Sequence, residues 1–545
     1  MANQSIQNNV KTLVIDNFRG DLTSYQYGDI NSGRSLLQVC SGQNPFVKPG
    51  QLTWNETPTL IDSAGSVITD LILAGKERVE SGILYVYAVG HTGRVYKIQV
   101  NNPASYNPDY DNPVLLTTLT VNSPTFTRGG YIDFFGATEK IYIGHDMGLT
   151  SLNFDGTGEA FVGVLGSWTQ TVPRTLKQFV GKLYIANGTN LAEVDNTATV
   201  TSYARLSPAF PNNTQVRDMD TSPDGSYLEV VVSRLPLYDI TATTQETTST
   251  ANAESYIFKW NGTDTGYTSF NTFPSFSLDA NISFQNYQYT FGADQFGTAM
   301  YSPLEKIGAL PESPGILPNA INSTGNIVNL MTPLYFENVL EADMYAWGHF
   351  DFEIGQPIGY WDLFFINATA PETDVQRVPF MLSISNTGLG ASSNGYTNNL
   401  FGTSKIYFSS LETSSGPTTK YRLYKWRPIT SPRITPTTNA LIDAIYQTQS
   451  QMFSKKITVK EVRVYMEPFV ANNAFQIDLI GSDLVAIPNS TRTFTAGSNV
   501  DIGADYIWYT PEIEPTYALG IAIINKGSTN HVINKIEVDY TIGGK

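Results

Sequence analysis

A short phrase that keeps returning constrains this chain more than any other feature. Lys140-Ile-Tyr-Ile-Gly, Lys182-Leu-Tyr-Ile-Ala and Lys405-Ile-Tyr-Phe-Ser are near copies; Ile83-Leu-Tyr-Val-Tyr, Tyr227-Leu-Glu-Val-Val and Tyr287-Gln-Tyr-Thr-Phe are looser ones. Each run is apolar or alternating, short, and rich in aromatic and β-branched residues, which predicts a strand. The clearest continue through a polar turn into a second strand, as Leu84–Ala88 does through Gly90-His-Thr-Gly93 into Arg94–Val100. A strand–turn–strand unit repeated along a chain, each unit unable to bury its faces alone, predicts a radially repeated β fold.

Spacing refines the count. With Tyr85, Tyr142, Tyr184, Leu228, Tyr289, Tyr345 and Tyr407 taken as equivalent, successive intervals are 57, 42, 44, 61, 56 and 62 residues. A four-stranded propeller blade needs about 40–50 residues. The expectation is therefore an irregular β-propeller of six or seven units with loop insertions, one of them the Thr-rich stretch Thr241–Ala253. Turn dipeptides punctuate it at Asp155-Gly156, Asn187-Gly188, Asp224-Gly225, Asn261-Gly262 and Asn394-Gly395.

The flanks read differently. Residues 1–50 are polar, with short strand candidates at Thr12–Asn17 and Ser35–Ser41, and predict an extended arm lying across the main body or a neighbouring subunit. The propeller body is expected over 51–435. Residues 436–545 predict a connector helix, with Leu441, Ile442 and Ile445 on one face of Thr438–Tyr446, followed by a β-sandwich or jelly roll. Its strands are Ile457–Tyr465, Phe475–Ile480, Tyr506–Tyr509, Tyr517–Ile524 and Val532–Tyr540. The fold class is all-β.

Charge excludes some functions. Only 15% of residues are charged and the net charge is −16, so the surface is neutral-polar and acidic, unsuited to gripping phosphates. One region departs from this. Lys420, Arg422, Lys425, Arg427, Arg433, Lys455, Lys456, Lys460 and Arg463 face only Asp443 and Glu461 over residues 420–463, a net +7 that leaves −23 elsewhere. A basic band on an acidic molecule suits docking onto another copy or a neighbouring protein, and these nine are the candidate interface residues; a solvated face is the plainer reading.

No catalytic residues are assigned. The four histidines, His91, His145, His349 and His531, are far apart, and neither H-E-x-x-H nor G-x-S-x-G occurs. His145 beside Asp146 is expected as a solvated turn residue. Asp109 and Asp111 have the two-residue spacing of oxygen ligands but lack the Gly and later Glu of a calcium loop, so they are weak metal candidates in what reads as an ordinary turn. No cofactor is expected. The single Cys40 rules out an intrachain disulfide and predicts a small buried hydrophobe, and Arg19-Gly20-Asp21 reads as a turn. Trp168, Trp260, Trp347, Trp361, Trp426 and Trp508 are expected to pack in the core. Met1-Ala-Asn-Gln-Ser shows no charged-then-apolar leader pattern, and no run approaches the roughly 18 apolar residues of a membrane span.

Three segments in order carry a resemblance. Val14-Ile-Asp-Asn-Phe-Arg-Gly-Asp-Leu22, Asn31-Ser-Gly-Arg-Ser-Leu36 and Val47-Lys-Pro-Gly-Gln-Leu52 resemble the opening of bacteriophage tail and neck proteins, which have an N-F/L-K-G-G phrase and a G-x-x-x-R-P step into a propeller. Here Asp21 stands for the second Gly and Lys48 for the Arg. Lys460-Glu-Val-Arg-Val-Tyr-Met-Glu-Pro468 with Phe475–Ser482 is similar to the sandwich that ends such proteins, as Lys405–Ser410 is to their repeat. The resemblance implies a virion structural protein, a ring-forming nozzle or neck subunit whose acidic surface lines the DNA-exit channel. It would be made in the host cytoplasm and built into the virion. The implied partners are other copies of the chain and neighbouring tail proteins, with DNA in passing contact. The alternative is a virion protein that binds a host surface glycan; a polysaccharide hydrolase ranks last.

Overall fold

The computed structural model describes residues 10–16, 67–100, 112–127, 129–233, 254–273, 445–483, 485–528 and 531–543, and elsewhere chiefly the strand segments named below. Seven four-stranded antiparallel sheets follow one another along the chain. Blade 1 is Ile72–Glu80, Ile83–Gly90, Arg94–Val100 and Asn112–Thr118; blade 2 is Tyr131–Phe135, Lys140–His145, Gly148–Leu152 and Ala160–Phe161. Blade 3 is Leu176–Phe179, Lys182–Ala186, Leu191–Val194 and Val200–Ser202; blade 4 is Gln215–Thr221, Leu228–Ser233, Ser255–Trp260 and Ser269–Phe273. Blade 5 is Ser277–Phe284, Tyr287–Asp294, Gly297–Ser302 and Glu312–Leu317; blade 6 is Met331–Phe336, Met344–Phe352, Gly359–Asn367 and Gln376–Ser383.

Blade 7 is made differently. Asn399–Phe401, Ile406–Thr413 and Thr419–Trp426 supply three strands, and Thr59–Ile61, from before blade 1, supplies the fourth. Leu423 pairs with Ile61 and Lys425 with Thr59. The first strand of every blade contacts the first strands of the blades on either side, and blade 7 returns to blade 1. The molecule is a closed seven-bladed β-propeller, with those first strands around its central channel.

The recurring phrase is explained by burial on two faces. Successive strand residues point to opposite faces. Ile141 and Ile143 enter the core shared with blade 1, while Tyr142 enters the core shared with blade 3. Leu183 and Ile185 then face blade 2, and Tyr184 faces blade 4. A strand packed on both sides has no polar face, so its sequence is a nearly continuous apolar run. All seven residues taken as equivalent, Tyr85 to Tyr407, fall on the second strand of their blades. Leu228 lies one residue out of phase, facing blade 3, so Glu229 takes the face that tyrosine takes in blades 2 and 3.

A second repeat secures the outer hairpins. In Phe154-Asp155-Gly-Thr157, Val194-Asp195-Asn-Thr197 and Trp260-Asn261-Gly-Thr263 the Asp or Asn Oδ1 accepts the N–H and hydroxyl of the Thr two residues on. Such local bonds replace ladder bonds at a turn. Gly262 is required in the third: its φ is 81°, and a Cβ there would lie 2.8 Å from the Phe179 ring.

The two ends of the chain build a second unit together. Its eight strands form one continuous sheet folded into two layers. Val10–Ile15, Ile533–Ile542, Gln451–Met466 and Tyr506–Tyr509 make one, and Ile445–Gln447, Thr516–Asn525, Ala474–Ile480 and Arg492–Thr495 the other. Gln451–Met466 joins them by pairing Gln451 with Leu519 and Ile457 with Thr516. Leu13, Ile15, Phe18 and Leu52 are buried in the core between them, with Val462, Leu479, Ile521 and Ile536. Val10–Ile15, expected within an extended arm, instead pairs with Ile533–Ile542, Val10 opposite Thr541; most of residues 17–50 lie outside the described residues. Ile445 and Tyr446, expected in a helix, lie in a strand; residues 436–444 fall outside the described residues, as do Cys40, Arg19–Asp21 and Thr241–Ala253. Among the described residues no helix is long and apolar enough to cross a membrane.

Ile61, 1% exposed, packs with Ile72, Val86, Ile98 and Leu423 where blade 7 meets blade 1. Ile61→Ala removes three carbons from a closed core and is expected to lower stability by about 2–4 kcal/mol. Chemical denaturation checks it; a loss near zero would mean that Thr59–Ile61 does not hold the ring shut.

Candidate functional site

The inner strands of blades 1 to 4 carry a polar network that crosses from blade to blade, set out by strand register. On the first strands of blades 1 to 4, Lys76 stands opposite Tyr87, Asp133 opposite Tyr142, Lys177 opposite Tyr184 and Asp220 opposite Glu229. Four charges of alternating sign thus come to comparable positions on four adjacent inner strands.

They join across the blades. The Lys76 ammonium pairs with Asp133, and the Gln178 amide donates to Asp133 Oδ1 at 3.1 Å and to the Phe134 carbonyl at 2.6 Å, so Asp133 ties blades 1, 2 and 3. Lys177 pairs with Asp220, linking blade 3 to blade 4. Asp218 Oδ2 accepts the Asn281 backbone N–H at 2.8 Å, which reaches blade 5. Asn281 in turn donates to Glu229 Oε2 at 3.5 Å and accepts from Thr290, and Lys259 pairs with Glu229 at 2.9 Å.

The electrostatics follow from burial and from the crowding of carboxylates between adjacent blades. The Lys177 side chain remains 35% exposed although protein surrounds it closely. Burial pulls its ammonium down, but Asp220, Asp218 and Asp133 overturn this and hold it above the usual lysine range. For Asp218, burial dominates: opposed by the Asn281 N–H and reinforced by the Asp220 charge, it pushes the carboxyl up to about 7. Burial likewise raises Glu229 against the pull of Lys259.

Chemically this arrangement resembles a lock more than a reaction centre. Lysines occupy Asp133, Asp220 and Glu229, and both Asp218 oxygens are taken by backbone N–H groups, of Asn281 and of Met219. Among the described residues no group of three or more His, Cys, Asp or Glu is disposed to hold a metal.

The residues singled out from sequence are scattered. Asp109, Asp111, Arg427 and Arg433 lie outside the described residues. Lys420, Arg422 and Lys425 are on the third strand of blade 7, whereas Lys455, Lys456, Lys460 and Arg463 are on the long sandwich strand Gln451–Met466. Lys455, Lys456 and Lys460 are exposed. Arg463 is not available for docking: its guanidinium meets Asp539 at 2.6 Å and lies 3.4–3.5 Å from Glu537 and Glu461.

His145 is a core residue, contrary to the solvated turn expected. It is fully buried, its Nε2 lies 3.0 Å from Thr150 Oγ1, and it packs between Phe126 and Phe161. Burial, aided by the Arg174 charge, brings the imidazole down to about 3 and keeps it neutral. Trp168 and Trp260 pack as expected; Trp508 does not, being 58% exposed.

No family model matches this chain, and no curated protein matches it. Among solved structures it is similar to the β-propeller domain of Myceliophteria thermophila Cps50 (Swd1), at 9% identity and a TM-score of 0.40 over 68% of this chain and 98% of that one. It is also similar to the Dos1 propeller, at 12% identity and a TM-score of 0.35 over 71% and 93%, and to Trypanosoma rangeli sialidase, at 9% and 0.36 over 91% and 97%.

Asp218 makes the network sensitive to pH. A carboxyl at about 7 when folded, against about 3.9 unfolded, holds its proton better in the folded state. Its contribution is present below the unfolded value and is lost as pH rises from about 4 to about 7. The stability of the native protein relative to Asp218→Asn is therefore expected to fall across that window and level off above it, as read by chemical denaturation at stepped pH. Lys177→Met, which strips Asp220 of its partner in a partly solvated setting, is expected to cost about 1–2 kcal/mol, below the 3–5 of a fully buried pair.

Proposed function

We propose that this chain is a structural subunit of a bacteriophage virion, a ring-forming component of the tail nozzle or neck that acts by assembly. One observation carries the reading beyond the resemblance at the two ends of the sequence. The sandwich strand Gln451–Met466 displays Lys455, Lys456 and Lys460, all exposed, on a molecule of net charge −16. A basic strand on an acidic body is complementary to the acidic surface of a second copy, and a head-to-tail contact of that kind closes into a ring when its rotation divides the circle. The propeller suits the part because its channel is cross-tied from blade 1 to blade 5 and supplies a stiff block.

On this reading DNA passes along the inner wall of the assembled ring and not through a propeller, whose channel lysines are engaged with carboxylates. An acidic wall repels the phosphates, so the duplex slides without adhering. Neighbouring tail proteins would dock on the remaining faces.

Light scattering after gel filtration, with electron microscopy of the eluted species, tests the proposal. The native protein is expected to form discrete rings that dissociate as salt rises, because exposed charges are screened within about 10 Å at 0.1 M. The triple variant Lys455→Glu, Lys456→Glu, Lys460→Glu is expected to remain monomeric with an unchanged thermal midpoint. A protein that stays monomeric at low salt and is absent from purified particles would overturn the reading.

A further inference from the structure

The outer face of one sandwich sheet displays aromatic rings beside fixed charges. Register places Tyr465 opposite both Tyr506 and Lys535, Arg463 opposite both Trp508 and Glu537, and Glu461 opposite Asp539. Directly opposed residues share a face, and Val462, Val464 and Tyr509 take the inward one. Trp508 is 58% exposed and Tyr506 39%, and they stand two residues apart on the outermost strand.

The face is rigid. The Tyr465 and Tyr506 rings are 5.1 Å apart, the Lys535 ammonium sits 4.3 Å over Tyr465, and the Tyr465 hydroxyl donates to Glu537 at 3.0 Å. Arg463 holds Asp539, which also accepts from Thr12 on the neighbouring strand. Two flat apolar surfaces about 7 Å apart, one pair of strand steps, thus adjoin carboxylates whose orientation is already set.

We propose that this face binds a neutral glycan, with pyranose rings stacked on Trp508 and Tyr506 and hydroxyls donating to the carboxylates of Glu537 and Asp539. The composition favours a sugar over a protein. Arg463 and Lys535 are already engaged by Glu461, Glu537 and Asp539, and a flat protein partner would have to desolvate that whole cluster. A sugar covers the rings, where burial is favourable, and meets the charges only through hydroxyls that replace water. Arg463 and Lys535 stand against Glu461, Glu537, Asp539 and the nearby Asp16, so the cluster is net acidic, which selects against acidic sugars. The inference does not rest on ring assembly.

The test is retardation of the full-length protein in native gels cast with dextran, mannan, galactan or laminarin, followed by fluorescence titration with oligosaccharides of whichever polymer retards it. Trp508→Ala is expected to weaken binding at least about tenfold, the effect of one lost aromatic anchor. Tyr506→Ala should weaken it less, Trp508→Phe should retain most of it, and Tyr517→Ala, an exposed ring on another strand, should change nothing. An unchanged thermal midpoint for Trp508→Ala shows that the fold survives. Failure of all four polymers to retard the protein, or retardation that Trp508→Ala leaves intact, would overturn the proposal. So would a Trp508→Ala variant that binds sugar normally but no longer assembles, which would make this face a contact between copies.

Discussion

Seven blades arranged in a circle leave one seam, and the hydrogen bonds between Thr59–Ile61 and Thr419–Trp426 hold it. Blades 1, 2 and 3 each bury apolar residues on both faces and depend on their neighbours to keep water away. An open array would wet the blade 1 face that carries Ile72, Val86, Ala88, Tyr96 and Ile98, all fully buried in the closed ring. The closing strand is three residues long, yet it converts a row of mutually dependent sheets into a body without a free end. The channel network works inside that frame. Its ion pairs cross between blades, so they fix how one blade is set against the next, which apolar packing alone leaves looser.

How much of this was legible in the sequence depended on whether a signal is local. The second strands of blades 1 to 3 can be read because burial on two faces leaves a nearly continuous apolar run, and each of the seven positions from Tyr85 to Tyr407 lies on the second strand of its blade. Of the outer hairpins, Asp155-Gly156 and Asn261-Gly262 stand out as turn dipeptides, whereas Asp195-Asn-Thr197 carries Asn in the Gly position and shows its kinship only through the shared bond to Thr. Val10–Ile15 is legible as a strand, but its partner is not: Ile533–Ile542 lies more than 500 residues away, and nothing near Val10–Ile15 announces that pairing. At Ile445 the helical spacing of apolar residues was overridden by a sheet edge that needed covering.

The channel charges illustrate the same limit. Lys76, Asp133, Lys177 and Asp220 each look like an isolated charge on a strand, and only register brings them to one level. His145 read as a turn residue because Asp146 and Gly148 surround it, but the turn is folded under the loop that carries Phe126. Trp508 is the reverse. Alternating aromatics usually mark a core, and on Tyr506–Tyr509 it is Ile507 and Tyr509 that face inward while Tyr506 and Trp508 face out.

The pairing of Val10–Ile15 with Ile533–Ile542 also has a consequence in time. A ribosome adds about 5–20 residues per second, so a strand made at residue 10 waits for a partner about 530 residues later, roughly half a minute to two minutes. Thr59–Ile61 waits through almost the whole propeller for Thr419–Trp426. The propeller seam cannot close before Trp426 is made, nor the second before Ile533–Ile542, so the propeller can shut while the sandwich still lacks a strand. Until Ile533–Ile542 is made, Val10–Ile15 presents an unpaired edge with Lys11 as its only charge, open to pairing with the wrong partner.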